Sequence, residues 1–356
     1  MADIPNKIET WQMTAPGTLT QTSIDMPEIQ AGEVLVKIAG CGVCHTDLGY
    51  FYDGVPTVNQ PPLTLGHEIS GTVIAGEKTM VGKDVIIPAV MPCNNCPICA
   101  SGRGNRCLAQ KMPGNSYGIY GGFSSHIVVP AQDLCVIDDR KGLALEQFAV
   151  IADAVTSPYQ AATRADVKPG DYTIVLGGTG GLGVYATQIL AAMGAKEVIV
   201  IARNQEKLDR AMQYGATYTI STADKDARGV RDAFRAYSKE KKLPNWGWKI
   251  FEWTGSAGGQ EIGLELLSYV GKMVVAGYGM QKNTYQLSRL MAFDAEIIGT
   301  WGCLPKYYPV VLKMVQDNKV KISPFIETRP MSQIQKAFED AHKGGLDKRI
   351  VLTPDF

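Results

Sequence analysis

The chain has 356 residues, 45% of them hydrophobic, and its 35 Lys plus Arg balance 35 Asp plus Glu. That length exceeds one ordinary core and suits two domains of roughly 150 to 200 residues. With no net charge and no basic block the sequence excludes a binder of polyanions such as nucleic acid, and no apolar run approaches the about eighteen residues of a membrane-spanning helix.

The opening stretch MADIPNKIETWQM carries charges and lacks the apolar run of a secretory signal, so a soluble, cytoplasmic protein is expected. From Gly32 to Pro130 the chain reads as short strands broken by Gly and Pro: EVLVKIAG, GTVIAG, KDVIIPAV and SSHIVVP. Such a pattern predicts an all-β lobe of barrel type. Residues 143–165 switch to helical spacing of apolar positions, with a break expected near Pro158 and a domain boundary in the same region.

After the turn Lys168-Pro169-Gly170-Asp171, the run YTIVLGG leads through GTGGLG into a helix, VYATQILAAMGA. EVIVIAR, NQEKLDRAMQYGA and TYTI follow as strand, helix and strand, and WKIFEWTG, KMVVAGYG and AEIIGTWG supply further strands. Strands alternating with helices of this length imply a parallel, doubly wound sheet. Residues 224–246 read as a polar, solvated surface helix. From about Pro305 the chain returns to helices and ends in a strand, KRIVLT.

Cys93, Cys96, Cys99 and Cys107 stand in the spacing C-x2-C-x2-C-x7-C. Four thiolates so close in sequence can close a tetrahedron around one Zn2+, and such a site keeps no open coordination position, so it folds a lobe without doing chemistry. The alternatives, four packed thiols or two disulfides, fit poorly in a loop rich in Asn, Pro and Gly. Cys41, Cys135 and Cys303, an odd number scattered along the chain, suit reduced cytoplasmic thiols. Elsewhere in the β lobe, Cys44 and His67 form a thiolate and imidazole pair of the kind that suits a zinc site with an open position. Each alone has an ordinary reading as a buried small residue or a satisfied core histidine.

Gly178, Gly180 and Gly183 make a G-x-G-x-x-G between a predicted strand and a predicted helix, a loop that can cradle a diphosphate at a helix N-terminus. The second strand ends Val200-Ile201-Ala202-Arg203. Ala202 stands where a fold specific for NAD usually carries an acid, and Arg203 could pair with a 2'-phosphate, which points toward NADP or relaxed choice. Arg203 stacking on the adenine face is the competing reading.

GCGVCHTD, LGHEISGTV, the four-cysteine lobe and GTGGLG together resemble the zinc-dependent medium-chain alcohol dehydrogenase family, over essentially the whole chain. The resemblance implies an α/β protein with a GroES-like β-barrel catalytic domain over 1–154 and a Rossmann domain with a doubly wound parallel sheet over 155–302. Residues 303–356 would return to the catalytic domain. Two zinc ions per chain, one catalytic and one structural, are implied, with NAD as cofactor, NADP left open, and a homodimer or homotetramer.

Carried onto this sequence, the resemblance gives the catalytic zinc to Cys44, His67 and Asp153, the last where many members carry Cys. Asp153 also has an alternative reading as a helix N-terminal carboxylate. Glu68 would be able to approach the metal. Thr46 would take the substrate proton, and Asp47 would orient His67. His45 and Arg349 would contact the cofactor pyrophosphate, Lys207 the adenosine ribose, and Gly178, Gly180, Gly181, Leu182 and Gly183 would form the cradle. Gly49 departs from the pattern, since many members place there a His that ends the proton relay.

Finer resemblance lies in CGVCHTDLGYFYDGVPT, MPCNNCPICASGRGNRCLAQKMPGNS, LSRLMAFDAEIIGTWGCLPKYYP and VLTPDF, which are similar to family members that oxidise a ring hydroxyl beside an acyl-CoA thioester. An acyl-CoA substrate is implied, with Arg103, Arg106, Lys111 and Arg289 as candidates for its phosphates and solvated surface charge as the plainer reading of each. A dehydrogenase of small secondary alcohols and a nucleotide-binding relative without turnover are the alternatives.

Overall fold

The structure is a computed structural model that describes residues 4–356. The first three residues, on which the reading of the N-terminus partly rests, lie outside the described residues. The chain divides into two compact units, Met1–Thr156 with Gly302–Phe356, and Ser157–Trp301.

Unit 1 is built on the strand Glu33–Gly42, whose Val34, Leu35, Val36 and Ile38 are all buried. A nearly continuous apolar run of this kind belongs in a strand covered on both faces. It pairs antiparallel with Glu68–Gly76, with His126–Pro130 along residues 33–37, and with Arg349–Thr353 at Cys41 and Gly42. Asp84–Ile87 and Cys135–Ile137 extend the sheet on one side, and Ile326–Pro330, parallel to Arg349–Thr353, extends it on the other. A second sheet joins Thr18–Asp25, Lys7–Ala15 and Leu63–Thr64. The expected β lobe is thus present, completed by a strand from the far end of the chain.

Three features of the sequence reading need correction. The helical stretch 143–165 is interrupted, as expected, but at residues 153–155 rather than at Pro158 itself. A 3-10 helix, Leu145–Ala152, ends at Asp153, and an α-helix, Thr156–Arg164, begins beyond it with Pro158 in its first turn, where a missing N–H breaks no helical hydrogen bond. Residues 224–246 are not simply solvated: the helix Ala227–Glu240, capped by Asp226, buries Val230, Phe234 and Tyr237, and Phe234 lies edge-on to Trp248. The N-terminal hairpin escaped prediction because its strand Lys7–Ala15 turns Thr10 and Gln12 inward, hiding the apolar alternation.

Unit 2 carries a six-stranded sheet in the order Tyr218–Ser221, Glu197–Ala202, Tyr172–Leu176, Lys249–Glu252, Lys272–Val275 and Glu296–Gly299. Every neighbouring pair is parallel. In sequence order this is 3-2-1-4-5-6, the doubly wound dinucleotide fold, with its switch point beside the strand that precedes the glycine loop. Among the described residues, no helix is long and apolar enough to cross a membrane.

The C-terminal return is locked into unit 1 by Phe338, which is fully buried and edge-on to Phe51 at 5.4 Å and to Phe123 at 5.5 Å. Phe338→Ala should remove about 3–5 kcal/mol of stability, seen as a lower urea midpoint. An unshifted midpoint would mean that this aromatic cluster is not a determinant of the unit.

Candidate active site

Helix His45–Phe51 starts immediately after the strand Glu33–Gly42, with Cys44 as its cap residue. Asp47, in its first turn, is wholly buried and accepts hydrogen bonds from the backbone N–H of Cys44 and of Gly66, each at 3.0 Å. Its Oδ1 also lies 3.4 Å from Nδ1 of His67. That separation exceeds a well-aligned hydrogen bond but keeps the carboxylate against the ring. Burial of His67 opposes a charged ring, yet the Asp47 carboxylate, with help from Asp153 and Cys44, outweighs it and holds the pKa well above the usual histidine range.

Three donor atoms converge on one point. Cys44 Sγ is 3.7 Å from Oδ2 of Asp153, and Nε2 of His67 is 3.6 Å from the same oxygen. Metal–ligand bonds of about 2.0–2.3 Å place tetrahedral donors roughly 3.3–3.8 Å apart, so the trio has the spacing of a zinc site. Thr46 Oγ1 lies 3.7 Å from Cys44 Sγ, a hydroxyl on the rim of the cluster. Asp153 follows the 3-10 helix rather than starting a helix, which removes the N-terminal-carboxylate reading of it.

Glu68 also brings an oxygen within 4.8 Å of these donors, but both its oxygens are held by Arg349, with Nε to Oε2 at 2.7 Å. Burial pushes the Glu68 carboxyl up to about 7 against the pull of that guanidinium. A Cβ at position 42 would stand 2.1 Å from Glu68 Oε2, so glycine there is what admits the pair. Arg349, expected to contact the pyrophosphate, is engaged with Glu68, and Cys44, His67 and Asp153 make up a set of three donors, the count of a catalytic zinc site. His45 is solvent-exposed at the first helical position.

Cys93, Cys96, Cys99 and Cys107 bring their sulfurs together at 3.4 to 4.0 Å. A disulfide requires about 2.05 Å, whereas four sulfurs around zinc stand about 3.8 Å apart. The two-disulfide alternative is thereby excluded, and all eight cysteines are free thiols. The backbone N–H of Cys99 directed at Cys96 draws that thiol down to about 7, while desolvation and the adjoining sulfurs push Cys99 up to about 12.

In unit 2, residues 177–182 turn between the strand Tyr172–Leu176 and the helix Gly183–Ala192. A Cβ at 183 would meet the Gly177 carbonyl oxygen at 2.1 Å and Gly178 Cα at 2.7 Å, so glycine there is what lets the helix start so close to the preceding turn. At Gly180 a Cβ would meet nothing nearer than 3.4 Å, so no atom of the protein requires glycine there. Gly181 and Leu182 complete the turn, with Leu182 as the helix cap. Arg203 is exposed just beyond the carboxyl end of its strand, and Lys207 lies in the helix Gln205–Met212, capped by Asn204.

Residues 30–139 match the alcohol dehydrogenase GroES-like domain, and residues 181–317 match the zinc-binding dehydrogenase domain. An alcohol dehydrogenase of Geobacillus stearothermophilus is 30% identical, over 93% of this chain and 95% of its own length. The chain belongs to the zinc-binding medium-chain alcohol dehydrogenases. This alcohol dehydrogenase is accordingly an NAD(P)-dependent oxidoreductase acting on CH–OH groups. A D-arabinose 1-dehydrogenase (NADP(+)) of Saccharolobus solfataricus is 29% identical over 94% of each chain. The solved alcohol dehydrogenase of Thermotoga maritima has the same fold, with a TM-score of 0.87, 23% identity and coverage of 98% of this chain and 100% of that one.

Sequence reasoning missed the Glu68–Arg349 pair, whose members lie 281 residues apart and share no local pattern. It also missed the reach of Asp47 to Gly66. Gly183→Val should lower the melting temperature and weaken dinucleotide binding together, because the added carbons force the helix start away from the preceding turn. Wild-type melting in that variant would contradict the close approach.

Proposed function

We propose that this alcohol dehydrogenase oxidises a cyclic secondary alcohol bearing an acyl-CoA thioester, 6-hydroxycyclohex-1-ene-1-carbonyl-CoA, to the 6-oxo compound, in anaerobic benzoyl-CoA degradation. The four stretches quoted above support the substrate through their similarity to 6-hydroxycyclohex-1-ene-1-carbonyl-CoA dehydrogenase. The chemistry rests on one observation, the convergence of Cys44, His67 and Asp153 with Thr46 at the rim.

In this reading Cys44, His67 and Asp153 hold the catalytic zinc, and Cys93, Cys96, Cys99 and Cys107 hold a structural one. The catalytic ion supplies Lewis-acid stabilisation of the charge that develops on the substrate oxygen, and the nicotinamide cofactor exchanges the hydride. Thr46 accepts the proton of the substrate hydroxyl. Asp47 keeps the His67 ring turned with Nε2 toward the donor cluster. Gly178, Gly180, Gly181, Leu182 and Gly183 receive the diphosphate, and Lys207 and Arg203 the adenosine end.

The absence of an acid at Ala202 and the exposed Arg203 favour acceptance of NADP as well as NAD, in keeping with the NADP-named relative. Lys111 is paired with Glu33 and Arg289 with Glu265, so the exposed Arg103 is a better candidate for a CoA phosphate than either. A cytoplasmic homodimer or homotetramer completes the reading. The edge strand Glu296–Gly299, with Met291 well exposed just before it, gives it a surface to pair.

Purified enzyme assayed with the hydroxycyclohexenoyl thioester should show kcat/KM about 10³-fold above that for cyclohexenol, because remote binding energy is used at the reacting carbon. Equal values would reassign it to small secondary alcohols. Strict NAD+ selectivity in the same assay would refute phosphate pairing by Arg203. Metal analysis should give two zinc ions per chain. Cys44→Ser should abolish turnover and leave the fold intact, whereas Cys99→Ser should cost solubility. One zinc per chain in active wild-type enzyme would defeat the two-site reading.

A further inference from the structure

A tyrosine from the C-terminal return reaches the peptide group that carries Asp153. Tyr308 begins the helix Tyr308–Gln316 and is completely buried. Its hydroxyl donates to the carbonyl oxygen of Ala152 and accepts from the backbone N–H of Ala89 at 3.0 Å. The same carbonyl takes a hydrogen bond from Thr156 Oγ1 at 3.2 Å, and Thr156 is equally buried. Burial holds the Tyr308 phenol well above its usual pKa, so it stays protonated and able to donate.

The Ala152 carbonyl belongs to the peptide bond that leads into Asp153. Peptide planarity means that fixing this oxygen also fixes the plane from which the Asp153 backbone departs. Asp153 stands after the 3-10 helix Leu145–Ala152 and before the helix Thr156–Arg164, at φ −139° and ψ −57°. Neither helix sets its backbone angles. Two buried hydroxyls on the preceding carbonyl are therefore well placed to do so, and the Ala89 contact ties the turn to the segment that runs on to Cys93.

We propose that Tyr308, with Thr156 as second donor, is a positioning residue for Asp153, clamping the Ala152 carbonyl so that the carboxylate meets Cys44 and His67 at one metal centre. This rests on the reading that those three residues hold a metal ion. Groups that orient a ligand without touching the metal commonly govern its affinity.

The test uses the full chain, stripped of metal and titrated with Zn2+ or Co2+ against a chromophoric chelator. Wild-type protein that fills only the four-sulfur site would defeat the metal-centre reading itself, whatever the variants do. With two sites filled, Tyr308→Phe, which keeps the ring and deletes the hydroxyl, should weaken the second site about 10- to 100-fold. The Co2+ ligand-field bands of that site should shift, and the four-sulfur site should bind as before. Wild-type affinity and unshifted bands in Tyr308→Phe would overturn the proposal. If that variant does not fold, Thr156→Val decides. A weakened second site, restored in Thr156→Ser, supports the clamp, and an unaltered one overturns it.

Discussion

One buried carboxylate organises the candidate centre. Asp47 has no access to solvent, and an ionised group in that position is tolerable only when its oxygens are fully engaged. Two backbone amides and an imidazole meet it. Because the amides belong to Cys44 and Gly66, the group sets two ligand-bearing segments against each other, one on a helix start and one on the approach to a strand. Cys44 and His67 are thus placed by the same anion rather than by separate local turns.

The two candidate metal centres differ in how the chain assembles them. The four sulfurs come from one short loop, where closing the intervening turns costs little conformational entropy and the spacing alone announces the site. Cys44, His67 and Asp153 come from a helix cap, a pre-strand turn and the end of a 3-10 helix, and nothing in their separation identifies them. Residue type alone pairs Cys44 with His67, and Asp153 joins them only through family resemblance. The structure adds the reason that Cys44 and His67 converge: the strand Glu33–Gly42 runs antiparallel to Glu68–Gly76, bringing the end of one beside the beginning of the other.

What local pattern encodes was readable, including the parallel unit with its glycine loop and the main strands between Gly32 and Pro130. What depends on distant partners was not. Thr10 and Gln12 face inward because Thr10 finds the hydroxyl of Thr64 at 2.6 Å, a satisfaction that no window of neighbouring residues reveals. The helix Ala227–Glu240 read as polar since its buried residues are few and spaced apart. Pro158 drew the expected break to itself, although a first-turn proline is compatible with helix. Tyr308, an unremarked aromatic beside Pro309, acquires its role only from the carbonyl that it meets 156 residues away.

The discontinuity of unit 1 has a consequence for synthesis on the ribosome. Cys44, His67 and Asp153 have all emerged before the residues of unit 2 are made, yet Arg349, the counter-ion of Glu68, and the strand containing it appear only after unit 2. Until then the nascent lobe has an unpaired strand edge at Cys41 and Gly42 and an acid with no cation beside it. Unit 2, contiguous over Ser157–Trp301, faces no such wait. Vectorial folding would therefore finish the nucleotide-binding half first and seal the metal-binding half only after the strand Arg349–Thr353 has emerged.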